Sequence, residues 1–251
     1  MQQMDKAILN FQKNCYNTYL RELKKAGLIP EKYLFPFGNP IQPVIPTKTK
    51  LNGIMLIGAF PSARFEVVDK MLVPCGNNLS PFGEEEYFDG KQVRVQESRR
   101  SLNENYFSKL SINPNDIWIT DIVKIYLFPE KHIKNCIEIN PHLDYVNTHK
   151  RFNKLASASM KWLIEEINVC SPKLIITLGE VAARTLVGDK KTKNIDLLNG
   201  SVSSKSIDGK NYNVTHLAHP EICRINKTWR DNTNKAIKKL GKYIIQNKLN
   251  A

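Results

Sequence analysis

The sequence predicts an α/β fold in which a central, mostly parallel sheet of four strands is flanked by helices, as a single domain over residues 1–251. Three observations support this prediction. Several apolar runs are continuous rather than alternating, as strands buried on both faces of a parallel sheet require. Helical periodicity fills the intervals between these runs. A chain of 251 residues that is 41% hydrophobic also suffices for one substantial core.

Residues 1–50 precede the predicted core. Apolar side chains recur every three or four positions as far as Leu23, and Gly27 follows, which predicts an amphipathic helix over the first 26 residues. Five prolines between Ile29 and Lys50 then predict an extended segment that wraps a surface.

The core is predicted over residues 51–224, and its strands are three long apolar runs and a shorter one. A helix from Leu143 to Ile167 is expected between the second and third strands, and a short helix capped by Gly188 after the third. In such a fold the active site lies outside the carboxyl ends of the strands. The four runs are "GIMLIG", "DIWITDIV", "KLIITLG" and "YNVTHLAHP".

The formal net charge of +13, from 37 basic and 24 acidic residues, favours a polyanionic partner and above all nucleic acid. A solvated basic face is the alternative explanation. The five cysteines are scattered without a C-x-x-C pair, which indicates reduced thiols and no metal site. No apolar run approaches the roughly 18 residues of a membrane span. We therefore expect a cytoplasmic monomer without a cofactor.

Four motifs follow the predicted strands: Gly58-Ala-Phe-Pro-Ser, Asp121 within "WITDIVK", "TLGEVAARTLVG", and "LAHPEICR" with His219. In this order the chain resembles the uracil-DNA glycosylase superfamily. Its members carry G-x-x-P, an Asn-bearing segment such as "ITNVVK", "ALGxxA" and a histidine in an H-P-S-type loop. The resemblance extends from about Ile54 to Arg224. It implies a three-layer sandwich that flips a base out of DNA and hydrolyses its N-glycosidic bond.

The resemblance implies that His219 donates a hydrogen bond to the carbonyl oxygen of the departing base. A histidine that merely caps the His-Pro turn is the alternative. No lysine stands out for lyase chemistry, so a monofunctional enzyme that leaves an abasic site is expected. In one branch a cysteine just after "VVK" holds an iron-sulfur cluster, but Ile125 stands there, so no cluster is expected.

Asp121 departs from the family pattern. In uracil-specific members an asparagine amide at this position donates to O4 and accepts from N3–H of uracil. An ionised carboxylate only accepts, so it repels O4 and suits the exocyclic amine of cytosine. Because cytosine N3 is also an acceptor, a full match requires a protonated carboxyl or a reorganised edge. The prediction is a modified cytosine, as in phage DNA, and a role in antiviral defence. Alternatively, Asp121 faces a helix N-terminus or Lys124 and only supports the fold.

Ala59 and Phe60 occupy positions where relatives place an acid or amide that handles the attacking water. Neither side chain takes a proton, so the water is handled elsewhere or leaving-group stabilisation dominates. Glu66 and Asp69 are the nearest candidate bases along the chain. Glu84 to Glu86 and Asp89 come next, and each of these acids is alternatively a surface charge.

The base pocket is expected to begin with the turn after the first strand. The nearest aromatics for stacking on the base are Phe60, Phe65 and Phe82, although Phe60 fits a core position equally well. Two asparagines supply base or phosphate contacts, or simply form a turn. The predicted pocket residues are Gly58, Ala59, Phe60, Pro61, Ser62, Asn77, Asn78 and Phe82.

The segment after His219 is predicted to contact DNA. Ile222 or Ile225 is the candidate wedge for the gap left by the flipped base, and Arg224, Lys227 and Arg230 are candidate phosphate ligands. A basic C-terminal helix is expected within residues 225–251, as a phosphate-tracking surface or as an ordinary amphipathic helix.

Two other functions within the superfamily stay open. One is a uracil-excising DNA repair glycosylase, and the other is an inactive member that only binds DNA or free bases. An unrelated α/β hydrolase or nucleotide-binding enzyme is disfavoured, because the chain contains neither a Walker-type loop nor a G-x-S-x-G elbow.

Overall fold

The strands of the chain form three sheets in the computed structural model, which describes residues 2–88 and 91–249. The candidate base Asp89 lies outside the described residues. The strands are β1 (Ile54–Gly58), β2 (Ala63–Val68), β3 (Met71–Asn77), β4 (Glu86–Phe88), β5 (Val93–Val95), β6 (Ile117–Asp121), β7 (Leu174–Leu178), β8 (Ser203–Ile207) and β9 (Lys210–Leu217).

Helices lie between the successive parallel strands of the largest sheet, as the sequence predicts. There is also a π-helical turn at Asn103–Phe107, between two short helices. A 3-10 turn at His149–Arg151 directly precedes a long helix. The α-helices are α1 (Gln2–Lys25), α2 (Glu97–Leu102), α3 (Ser108–Leu110), α4 (Glu130–Ile139), α5 (Phe152–Cys170), α6 (Glu180–Val187), α7 (Asn194–Leu197), α8 (Pro220–Ile225) and α9 (Lys227–Gln246).

The chain divides into two compact units that are interleaved along the sequence. The first consists of Met1–Ile45, Phe60–Gln96 and Val123–Trp162. The second consists of Pro46–Ala59, Glu97–Ile122 and Leu163–Ala251, and it contains the whole central sheet.

The central sheet has the order β6-β1-β7-β9-β8, and its first four strands are parallel. All residues of β1, β6 and β7 are buried, which explains why these runs are continuously apolar. The α/β fold with a mostly parallel sheet is thus confirmed. Within the second unit, α6 contacts β7 and β8, and α9 contacts β9.

The sheet has five strands rather than the four predicted. The additional strand, β8, pairs antiparallel with β9 through a tight turn at Asp208 and Gly209, both at positive φ. Its sequence, SSKSI, is mostly exposed and polar, so it has no apolar run. The Asp-Gly pair between polar strands was the available signal for this hairpin.

In the first unit, α1 packs through one face and ends where Gly27 adopts a positive φ, as predicted. Phe11 and Tyr19 of α1 are buried, and their rings contact the Trp162 ring edge-on at 6.4 and 6.1 Å. The proline-rich segment is held by Asn77, whose side chain bonds the backbone at residues 40 and 42.

The helix predicted from Leu143 begins later. The 3-10 turn starts at His149 and α5 at Phe152. The Asn147 side-chain Oδ1 accepts from the Lys150 amide at 3.0 Å, and the Thr148 hydroxyl accepts from the Phe128 amide at 2.8 Å. Because these side chains bond the backbone locally and across the unit, residues 143–148 stay outside the helix.

Acid is expected to destabilise the second unit through His216. This ring is buried on β9 and its Nδ1 lies 2.7 Å from the Thr177 hydroxyl of β7, and burial lowers the pKa of His216 to about 4. Because the unfolded state binds a proton near pH 6.5 and the folded state only near pH 4, stability is full above pH 6.5 and falls below it. By pH 4, this residue lowers the free energy of unfolding by about 3 kcal/mol.

Urea unfolding of the wild type and of His216→Gln at pH 7 and pH 4 measures this contribution. The variant is expected to lose about 3 kcal/mol less than the wild type over this range. The exposed His142→Gln is the matched control and should keep the full loss. An equal pH dependence of wild type and His216→Gln would contradict the assignment.

None of the described helices combines the length and apolar character that a bilayer span requires.

Candidate functional site

Four parallel strand ends lie side by side at one edge of the central sheet. Gly58 pairs with Asp121 across β1 and β6, and Leu178 pairs with Leu217 across β7 and β9. Neighbouring strands are about 4.8 Å apart, so Asp121 and the end of β9 are separated by roughly 14 Å along this edge. The structure therefore brings Gly58, Asp121 and His219 to the same sheet edge.

Asp121 is the last residue of β6 and is only 1% exposed. Its neighbour Thr120 donates to the buried Glu166 carboxylate of α5 at 2.9 Å. Because side chains alternate along a strand, the Asp121 carboxyl lies on the sheet face opposite Glu166. Lys124, three positions further along the chain, is also fully buried. The burial of both residues is also compatible with an Asp121 that only supports the fold. Substitution of Asp121 therefore has to distinguish this role from selection of the base.

His219 is the N-cap residue of α8, with Pro220 at the first helical position. Its ring Nδ1 accepts a hydrogen bond from the Glu221 amide at 3.2 Å. A neutral ring that accepts at Nδ1 carries its proton on Nε2, and burial lowers the pKa of His219 below its usual value. Capping and donation are thus compatible, because the cap selects the tautomer whose Nε2–H donates.

Gly179, which was not among the predicted site residues, packs against His219. It follows β7 at φ +88°, and its amide donates to the Leu217 carbonyl at 2.8 Å. A Cβ at this position would lie 3.2 Å from the His219 Cβ. Both the positive φ and this close approach favour glycine. The glycine of the "TLGEVAARTLVG" motif was the signal for this role.

The turn after β1 continues into the first unit. The Phe60 ring lies 5.3 Å from the His149 ring and 5.9 Å from the Phe152 ring, and it is partly exposed. Its packing favours the core interpretation. Of its neighbours, Ala59 is partly exposed, Pro61 is buried and Ser62 is exposed.

The other two candidate stacking aromatics also lie in the first unit. Phe65 packs edge-on against Tyr126 and His132, at 6.5 and 5.2 Å between ring centroids. Phe82 is partly exposed in a loop, at a positive φ of 49°. The contacts of Phe65 place it in an aromatic cluster of its own unit.

Asn77 and Asn78 use their amides within the protein. The Asn77 side chain donates to the Pro40 carbonyl and accepts from the Gln42 amide, both at 2.9 Å. Buried Asn78 exchanges two hydrogen bonds with the Gln96 side chain, at 3.0 and 3.3 Å. These bonds favour the structural alternative for both residues.

The candidate bases near β2 lie on its hairpin. Glu66 is exposed, and burial, together with the nearby charge of Glu66, raises the pKa of Cys75 to about 11. Asp69 is exposed at the tip, where it and Lys70 both have positive φ and form the tight turn to β3. Glu84 and Glu86 are exposed as well. Their exposure favours the surface-charge alternative.

The predicted DNA-contacting residues differ in their own contacts. Ile225 is 64% exposed at the end of α8, whereas Ile222 is partly buried. Arg224 pairs with Glu221 at 2.6 Å. Arg230 donates to the Cys223 and Arg224 carbonyls at 3.1 and 3.2 Å, which closes α8. Exposure thus favours Ile225 as the wedge.

Lys227 is the exposed first residue of α9. Since Arg230 already serves as a cap for α8, Lys227 is the better candidate phosphate ligand of the two. Within the described ranges, no three His, Cys, Asp or Glu side chains are grouped to hold a metal ion.

Comparison with known proteins agrees with this arrangement. No curated protein matches the sequence. The family model described as "Uracil DNA glycosylase superfamily" matches residues 46–243, which include all four strand-end motifs. The match covers more than half of the chain. The protein therefore belongs to the uracil-DNA glycosylase superfamily.

Proposed function

We propose that the protein is a DNA glycosylase that flips a modified cytosine out of DNA and hydrolyses its N-glycosidic bond, leaving an abasic site. Membership of the superfamily supports DNA glycosylase activity, since its members generally hydrolyse such bonds. The observation that carries the proposal is that two polar groups lie at one sheet edge. They are the neutral ring of His219, which caps α8, and the buried side chain of Asp121.

His219 stabilises the leaving base. When the bond between the sugar C1′ and the base nitrogen breaks, its electron pair leaves with the base and negative charge spreads to the carbonyl oxygen. The Nε2–H of a neutral His219 donates to that oxygen as the charge develops. Water then supplies a hydroxyl group to C1′ and a proton to the base.

Asp121 selects the base edge. As a carboxylate, Asp121 accepts from the exocyclic amine of cytosine and repels the O4 of uracil, which is also an acceptor. Cytosine N3 is an acceptor too, so the full match requires a reorganised base edge. We infer a modified cytosine because excision of ordinary cytosine would damage the host genome. Phage DNA is a natural source of such bases, and the role would then be antiviral defence.

The attacking water has no evident base among the described residues of the turn after β1 or of the β2–β3 hairpin. Ala59 and Phe60 take no proton, and Glu66 and Asp69 are exposed. Leaving-group stabilisation by His219 therefore carries most of the catalysis. With no lysine assigned to the pocket, the enzyme is monofunctional, and strand breakage follows only when the abasic product is treated with alkali.

The test is incubation with duplex and single-stranded DNAs that contain uracil, cytosine or several modified cytosines, with and without alkali. Cleavage of modified-cytosine DNA that depends on alkali is the expected result. Efficient excision of uracil alone would replace the proposal with the repair alternative. Binding without excision of any base would favour the inactive member of the superfamily.

DNA binding is expected to weaken steeply with salt, because lysine and arginine contacts to phosphates release counterions. The change is Lys227→Ala, which removes one exposed charge at the start of α9. The slope of log affinity against log salt should fall by about 1 in this variant. Fluorescence anisotropy at salt concentrations from about 50 to about 300 mM measures this slope.

Lys13→Ala on α1 is the matched control for the lost charge and should keep the wild-type slope. A flat salt response of the wild type would show that the basic helix is only a solvated face.

A further inference from the structure

The Tyr106 hydroxyl holds the backbone directly before His219. Tyr106 is 1% exposed, and its hydroxyl donates to the Ala218 carbonyl at 2.8 Å. Burial raises the pKa of Tyr106 well above its usual value, so the hydroxyl stays protonated and able to donate. Ala218 is the residue between the end of β9 and the helix cap at His219.

Tyr106 lies within a π-helical turn. The turn spans Asn103–Phe107 between α2 and α3, and the Ser108 amide closes it by donating to the Asn103 carbonyl. Such a turn inserts an extra residue into the helical path, which rotates the following side chains, and single π turns are frequent at functional sites. The motif after β9 and this turn are more than 100 residues apart in sequence, so only the fold joins them.

The same hydroxyl reaches the helix that follows His219. It lies 3.3 Å from the Cys223 sulfur of α8, which lies 3.2 Å from the Thr233 hydroxyl of α9. Tyr106 therefore contacts the chain one residue before His219 and one turn after it. His219 also packs closely against Gly179, where a Cβ would be strained.

We propose that Tyr106 is a positioning residue that fixes the His219 loop, so that the Nε2–H points to the leaving oxygen. This inference rests on the proposed function for its catalytic consequence, while the contact itself is independent of it. Tyr106 does not touch the reacting atoms in this role. Its effect passes through the Ala218 peptide to the orientation of the His219 ring.

Tyr106→Phe removes the hydroxyl and keeps the ring. The single-turnover excision rate should fall about tenfold, the equivalent of one lost neutral hydrogen bond, while the dissociation constant for DNA changes less than about twofold. The matched control is Tyr33→Phe in the first unit, because the Tyr33 hydroxyl also donates to a backbone carbonyl, that of Tyr126, at 2.8 Å. Equal rates for the two variants would overturn the proposal.

A double-mutant cycle separates positioning from general destabilisation. If Tyr106 acts through His219, Tyr106→Phe should slow the wild type about tenfold but slow His219→Ala less than about twofold. A tenfold loss in both backgrounds would overturn the proposal, because the effect would then not pass through His219.

Amide hydrogen exchange tests the contact without any turnover. The Glu221 amide is held by His219 Nδ1, so its exchange should rise about tenfold in Tyr106→Phe and stay unchanged in Tyr33→Phe. Unchanged exchange in Tyr106→Phe would overturn the positioning role. If exchange rises but no DNA is a substrate for the wild type, the positioning role stands and the proposed function fails.

Discussion

Replacing His219 with alanine is expected to slow base excision by about 10²–10³-fold, as removal of one oxyanion donor does in other enzymes. The Nε2–H that would stabilise the leaving oxygen is lost. The affinity for DNA should change less than about threefold, because phosphate contacts dominate binding. Single-turnover gel assays measure the rate, and fluorescence anisotropy measures the affinity.

The exposed His142→Ala serves as the control and should keep the wild-type rate. His219 also caps α8, so the melting temperature of His219→Ala should be recorded alongside its rate. A rate within threefold of the wild type would contradict the catalytic role and leave only the cap.

Replacing Asp121 with asparagine is expected to shift the preference toward uracil by at least about 100-fold in the ratio of kcat/KM values. The amide donates to O4 and accepts from N3–H, whereas the carboxyl of the wild type repels O4. A pocket whose buried polar groups fit one edge leaves them unpaired on the other, and this discrimination is large. Competition assays with uracil and modified-cytosine duplexes measure the ratio.

Asp116→Asn is the matched control, because it makes the same chemical change at an exposed position just before the same strand. It should leave the ratio unchanged. If Asp121→Asn alters the melting temperature but not the preference, the residue only supports the fold, together with the buried Lys124.

The fold was largely predictable because buried parallel strands leave a plain signal. The runs that form β1, β6 and β7 are apolar throughout, since each is buried on both faces. The strand β8 has no such signal, because an edge strand with one partner can remain polar. The start of α5 was misplaced because Asn147 and Thr148 bind backbone groups that periodicity does not reveal.

The candidate site was predictable only in its outline. The order of the four motifs placed Gly58, Asp121 and His219 at one sheet edge, because parallel strands end on the same side. The partners of each side chain were not predictable. Asn77 and Arg230 have the right chemistry for DNA contacts, yet their hydrogen-bonding groups serve Pro40 and Cys223 instead.

The fold class, the order of the sheet motifs and the family follow from the amino-acid sequence, because burial on both faces and short motifs are properties of contiguous residues. The tautomer of His219 follows from the cap geometry at the Glu221 amide, two residues further on. The closeness of Gly179 to His219 and the hydrogen bond from Tyr106 to Ala218 depend on atoms that are distant in sequence, and hydrogen bonds require their partners within about 3 Å.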